Sequence, residues 1–195
     1  MADCRRLARD AQGSSLKGAR PRISSGRRDW IIELAFLRGF LAWEGFVEES
    51  CLLFMLGENP LRGRALVRYV SPPNRKAAMA MAAGGRRYAS WDDPTELKER
   101  AATYFRSGRP FADALSPVHA LSSARTVRNA IAHDSDHAHE KFRKLVRSLI
   151  GNVPPGVTVG KFLNTLRPGV TPSQTFLEYY LQQLELTAEQ IARPN

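Results

Sequence analysis

Arg128, Asn129 and His133 stand together in "VRNAIAHDS", residues 127–135, among small and apolar neighbours. An imidazole exchanges protons near neutral pH, and a guanidinium holds an anionic oxygen by charge-assisted hydrogen bonds without losing its own proton. An amide can orient either. On an ideal helix Val127 and Ile131 lie one turn apart and are expected to be buried together. Asn129 then sits about 200° round from Val127, with His133 stacked one turn beyond it, so the polar pair is expected to face away from the core. Arg125, four residues before Asn129, shares that outward side, and Arg128 lies between the two faces. Neighbours as small as Ala132 let a partner come close.

The elements that must carry these residues read as helices. Over residues 30–56, Phe36, Phe40, Trp43, Val47, Cys51 and Phe54 recur three or four apart, which marks the buried face of one long helix ended by Gly57 and Pro60. Residues 57–90, rich in Gly, Pro, Arg and Ala, read as a long connection with a short helix near 75–81. "WDDPTELKERAATYF" opens a helix with Asp93 as N-cap and Pro94 in its first position, packing through Leu97, Ala101 and Tyr104. Ser116 and Pro117 open the helix that carries the Arg–Asn–His set, and "DSD" at 134–136 interrupts it. A basic amphipathic helix follows, with Phe142, Leu145, Val146 and Leu149 inward, Lys141, Arg143, Lys144 and Arg147 outward, and Gly151 as its stop. A shorter segment, "VGKFLNTL", and a last helix from about Ser173 to Ile191, packing through Phe176, Tyr180, Leu184 and Ile191, close the chain. No strand pair or internal repeat is legible. The expected fold class is all-α, a bundle of four to six helices.

The chain has 195 residues, 43% of them hydrophobic and 25% charged, as in an ordinary globular protein with one core. Its net charge of +10 is uneven: residues 1–28 hold eight Lys and Arg against Asp3 and Asp10. That stretch is expected to be a disordered basic arm preceding one helical domain over 29–195, because it has too few apolar residues to order itself. Its positive field would draw polyanions, with Arg27 and Arg28 at its end, or the stretch serves solubility alone. The two cysteines, Cys4 and Cys51, give neither a disulfide framework nor a metal-ligand spacing, which points to a reducing compartment. The basic start lacks the apolar stretch of a secretory signal. Glu33, Arg38, Glu44, Glu48 and Glu49 break the apolar run that follows, so no membrane span is expected and the cytoplasm is the expected location. An Arg-rich, Ser-containing start has the composition of an organelle transit peptide, but Asp3 and Asp10 weigh against one.

"RNAIAH" resembles the signature of the HEPN superfamily, including its RiboL-PSP-HEPN and MAE-like HEPN families. That signature is an Arg, usually followed by a polar residue such as Asn, and then a His after four to six intervening residues. Four intervene here, and "WIIELAFLRGFLAWEGFVEE" is similar to the first helix of that all-α family. The resemblance spans roughly residues 29–191. It implies a metal-independent endoribonuclease, often a toxin or antiviral effector, acting as a homodimer whose two motifs face one another, with an antitoxin or other regulatory partner. RNA carries its own nucleophile, the 2′-OH. A base to take its proton and groups to steady the phosphorane suffice, with no cofactor. His133 would transfer the proton, Arg128 would hold the phosphate, and Asn129 would orient one or the other. The expected products carry a 2′,3′-cyclic phosphate and a 5′-OH. By analogy Glu44 supports Arg128 or His133; otherwise it is an exposed helix carboxylate paired with an arginine. Many HEPN toxins modified by a nucleotidyltransferase antitoxin carry Tyr two residues after the His. Ser135 stands there, so the resemblance does not carry that form of regulation.

Two other readings compete. His133, Asp134, Asp136, His137 and His139 could share a metal, although the stretch 134–136 is turn-like and no distant ligand cluster completes the set. Alternatively the fold is a dimerisation or RNA-binding module without catalysis. His119 reads as a surface or capping residue.

Overall fold

The computed structural model describes residues 2–13 and 24–194. It is all-α. Among the described residues there are nine α-helices: α1 (Ala2–Gly13), α2 (Ser25–Leu56), α3 (Arg75–Ala83), α4 (Pro94–Tyr104), α5 (Phe111–Ala114), α6 (Val118–Ala132), α7 (Asp136–Ile150), α8 (Val159–Leu163) and α9 (Phe176–Ala192). A 3₁₀ turn at Arg106–Gly108 precedes α5. The only β pairing among these residues is two isolated bridges, Arg68 with Phe105 and Leu166 with Thr175. The count exceeds the expected four to six because α5 and α8 are each little more than one turn, too short to show a period, and because α1 lies in the stretch expected to be an unstructured arm. Cys4, on α1, is buried. A composition averaged over 28 residues hides such a local anchor. Ser25–Arg28, also expected in that arm, instead open α2, and residues 1 and 14–23 lie outside the described residues.

The described chain falls into two compact units, Met1–Leu41 with Ser123–Gln182, and Ala42–Ser122 with Gln183–Asn195. The first has an aromatic core. Phe162 of α8 stacks on Phe176 of α9 with centroids 4.4 Å apart and meets Phe142 of α7 edge-on at 5.5 Å. Phe36 of α2 meets Tyr180 of α9 edge-on at 6.0 Å. These geometries suit the ring quadrupole and add to the area buried. In the second unit Phe105 and Phe111 stack at 5.8 Å, and both meet Phe54 of α2. The whole expected face of α2, from Phe36 to Phe54, is buried. Asp93 caps α4 as expected, its carboxylate accepting the Thr95 and Glu96 N–H groups. Burial pushes the Cys51 thiol up to about 12, so it stays protonated and unreactive at neutral pH.

In the first unit α8 meets α2 where there is no room for a side chain. A Cβ on Gly160 would stand 2.5 Å from the Asp29 carbonyl oxygen and 2.7 Å from its Cα. The Gly160 N–H, among those a helix start leaves unpartnered, donates to Glu33 Oε1 at 2.7 Å. Burial raises the pKa of this carboxyl above its ordinary 4.5; the Gly160 hydrogen bond opposes the shift, and the negative charge of Asp29 adds to it. The folded protein therefore keeps this proton to a higher pH than the unfolded chain does. The stability so contributed is full at low pH and is lost as pH rises through the folded value. Glu33→Gln keeps an oxygen to accept from Gly160 and removes the titration. Its melting temperature relative to the parent is expected to rise from pH 4 to neutrality. A difference that stays flat across that window would refute this account.

Candidate functional site

The buried residues of α6 are Ala120, Leu121, Ala124, Val127 and Ala130. Ile131 was expected to share the core with Val127 and is only half-buried, since Ala130 takes that place. A helix advances 100° per residue, so 130 stands 60° to one side of 127 and 131 stands 40° to the other, and the packing here selects the side of 130. Arg125 and Asn129, expected on the side away from the core, are half-buried, as is Arg128, expected between the two faces. Arg128 Nη1 donates to Asn129 Oδ1 at 3.0 Å, which orients the amide and leaves its NH₂ group to donate.

α6 ends at Ala132, so His133 lies just past the helix instead of within it. Its N–H still donates to the Asn129 carbonyl at 3.0 Å, which keeps the one-turn spacing, and its side chain is exposed. Ser135, at the position where many HEPN toxins carry tyrosine, is the N-cap of α7, with its hydroxyl accepting the Ala138 N–H at 3.3 Å. Its local role is to start a helix. His139 Nε2 lies 3.1 Å from Asp134 Oδ1 across the same turn. Among the described residues no three His, Cys, Asp or Glu side chains are placed to hold one metal ion.

α7 carries its basic residues as expected. Lys141, Arg143, Lys144 and Arg147 are all exposed, Phe142 and Val146 are buried, and Gly151 ends the helix at φ 90°. Lys144 bonds Glu140 one turn back at 2.7 Å and holds that carboxyl below its ordinary range. Leu145 is only half-buried and Leu149 is exposed, so the inward stripe is narrower than the sequence suggests.

Arg125, Arg128, Asn129, His133 and the α7 residues belong to the first compact unit, as do Arg27, exposed, and Arg28, half-buried. Glu44 is half-buried on the part of α2 that belongs to the second. His119 is exposed in the first turn of α6. Arg64, Arg106 and Arg109 line a cavity that the sequence did not suggest. Their only signal was arginine beside glycine and proline, Arg64 within the connection 57–90 and Arg106 and Arg109 in "FRSGRP" after α4.

Comparison of the chain with family models, curated proteins and solved structures gives no match. No helix among the described residues is long and apolar enough to cross a membrane.

Proposed function

We propose that the protein is a metal-independent endoribonuclease of the HEPN type, a cytoplasmic toxin or antiviral effector that works as a homodimer and is held in check by an antitoxin or other regulatory partner. The observation that carries this reading is the set at the end of α6. Arg128 is hydrogen-bonded to Asn129, and an exposed His133 lies one backbone turn further on, three residues before a helix with four exposed basic residues.

The chemistry asks little more. An imidazole removes the proton of a 2′-OH, the oxygen attacks the adjacent phosphorus, and the bond from phosphorus to the 5′-oxygen breaks as that oxygen takes up a proton. Arg128 offers a forked, permanently charged donor to the equatorial oxygens of the phosphorane. Taking one proton and giving another suits two imidazoles, and each chain supplies one at this site. That requirement is the physical argument for a second copy. The basic face of α7 neutralises flanking phosphates without reading sequence.

Purified protein is expected to cut single-stranded RNA equally well with and without chelator, leaving 2′,3′-cyclic phosphate and 5′-OH ends. Substrates with a 2′-deoxy or 2′-O-methyl sugar at the cut should resist. Light scattering under the same conditions should read about twice the 21.8 kDa chain mass. Activity lost to chelator and restored by zinc or manganese would favour the His133–His139 cluster as a metal site, and tight RNA binding without any cleavage would favour a binding module.

A further inference from the structure

A cavity of about 690 Å³ lies within the second compact unit, between the segment 63–67 and the turn that joins α4 to α5. Its volume falls in the range of small-molecule sites. The walls are pinned by backbone hydrogen bonds. Arg106 N–H donates to the Val67 carbonyl and Tyr69 N–H to the Tyr104 carbonyl, both at 2.8 Å. Leu66 N–H donates to Asn59 Oδ1 at 2.9 Å, and Leu61 N–H to the Ala192 carbonyl at 2.8 Å. These bonds tie a stretch without helix or strand to α4, α9 and Asn59. Ser107, on the cavity wall, has φ 58°, a left-handed conformation that costs a non-glycine residue energy and recurs where backbone is shaped around ligands.

Arg64, Arg106 and Arg109 line the cavity with one acidic residue, Asp113, and all four are exposed. Arg109 Nε pairs with Asp113 at 3.1 Å. Among the described residues no carboxylate pairs with Arg64 or Arg106. Beside these cations the lining is apolar, with Leu66, Val67 and Pro110. Two arginines that meet no carboxylate among the described residues, next to an apolar wall, match a doubly charged head on a carbon skeleton.

We propose that this cavity binds a small organic phosphate monoester. Arg64 and Arg106 hold the phosphate, and Leu66, Val67 and Pro110 receive the carbon skeleton. The Asp113 carboxylate holds Arg109 back and repels the same anion, so it sets the affinity low. The site does not depend on the ribonuclease reading, because none of its residues belongs to the Arg128–His133 set.

Calorimetric titration of the full chain with phenyl phosphate tests this, with inorganic phosphate as the comparison. Saturable binding of one phenyl phosphate per chain is expected, at least roughly tenfold tighter than inorganic phosphate. Arg64→Ala and Arg106→Ala should each weaken it by about tenfold or more at unchanged melting temperature, as loss of a charge-assisted hydrogen bond does. Asp113→Asn should tighten it, a gain that a merely structural role would not produce. No saturable heat at millimolar phenyl phosphate would overturn the proposal. Equal affinity for inorganic phosphate, meaning an adventitious ion only, would also do so, as would indifference to both arginine substitutions. A 2′-O-methyl oligoribonucleotide provides a further arm. If Arg64→Ala and Arg106→Ala weaken its binding while phenyl phosphate does not bind, these arginines lie on a nucleic-acid path and the small-molecule site is refuted.

Discussion

His133→Ala is expected to reduce RNA cleavage by at least about 100-fold, the usual scale for losing a positioned acid or base, while leaving the melting temperature close to that of the parent. The side chain is exposed and follows the last residue of α6, so its removal leaves no cavity and breaks no packing. Arg128→Ala is expected to cost as much activity, with a different accompaniment. Arg128 is half-buried and bonded to Asn129, so truncation also releases the amide and should lower stability by about 1 kcal/mol. Arg128→Lys separates the two effects: it keeps the charge but loses the fork, and cleavage should remain well below the parent level. RNA affinity, measured on a substrate with 2′-O-methyl sugars, should fall little in His133→Ala, because on the proposed reading α7 makes most of the phosphate contacts. If His133→Ala cleaves at the parental rate, the imidazole is not the proton carrier and the proposed mechanism fails. Equal loss of RNA affinity and of cleavage would assign the set to binding alone.

The long helix was legible because its buried positions repeat over many turns, so an error of one residue would have been corrected by the next turn. Phe36, Phe40, Trp43, Val47, Cys51 and Phe54 are all buried. Asp93 and Pro94 were legible for a different reason: a cap is a local bargain between one side chain and two N–H groups, which the residue types announce. The catalytic candidates fall between these cases. Their presence at the end of a helix could be read, but their burial could not. At residues 125–131 only Val127 and Ile131 are large and apolar, and two residues do not fix the phase of a helix. The cavity beside Arg64 was illegible in principle. It is shaped by hydrogen bonds from residues 61–69 to backbone at 104 and 192 and to the Asn59 side chain, partners up to 131 positions away that leave no spacing to read. Where structure rests on backbone pairing outside helices, composition says only that a connection exists.

Gly160→Ala is expected to destabilise the protein by about 3 kcal/mol, more than its size suggests. Two effects oppose one another at this site. Alanine favours a helix over glycine by about 1 kcal/mol, and in a free-standing turn the substitution would stabilise α8. Here the added methyl would meet the carbonyl oxygen, Cα and Cβ of Asp29 at 2.5 to 2.7 Å, and two of these three atoms are backbone within α2, which cannot swing aside. α8 must therefore withdraw. Withdrawal stretches the 2.7 Å bond from the Gly160 N–H to Glu33 and leaves a half-buried carboxylate without that donor. It also draws Phe162, fully buried two residues on, out of its stack with Phe176. The clash and the two lost contacts outweigh the gain in propensity, so urea unfolding should show a lower midpoint at unchanged slope. The double variant Gly160→Ala with Glu33→Gln should recover part of the loss, because a neutral amide left without its donor costs less than a carboxylate. A single variant as stable as the parent would show that α8 is free to move, and the close approach of Gly160 to Asp29 would then have no part in holding this unit together.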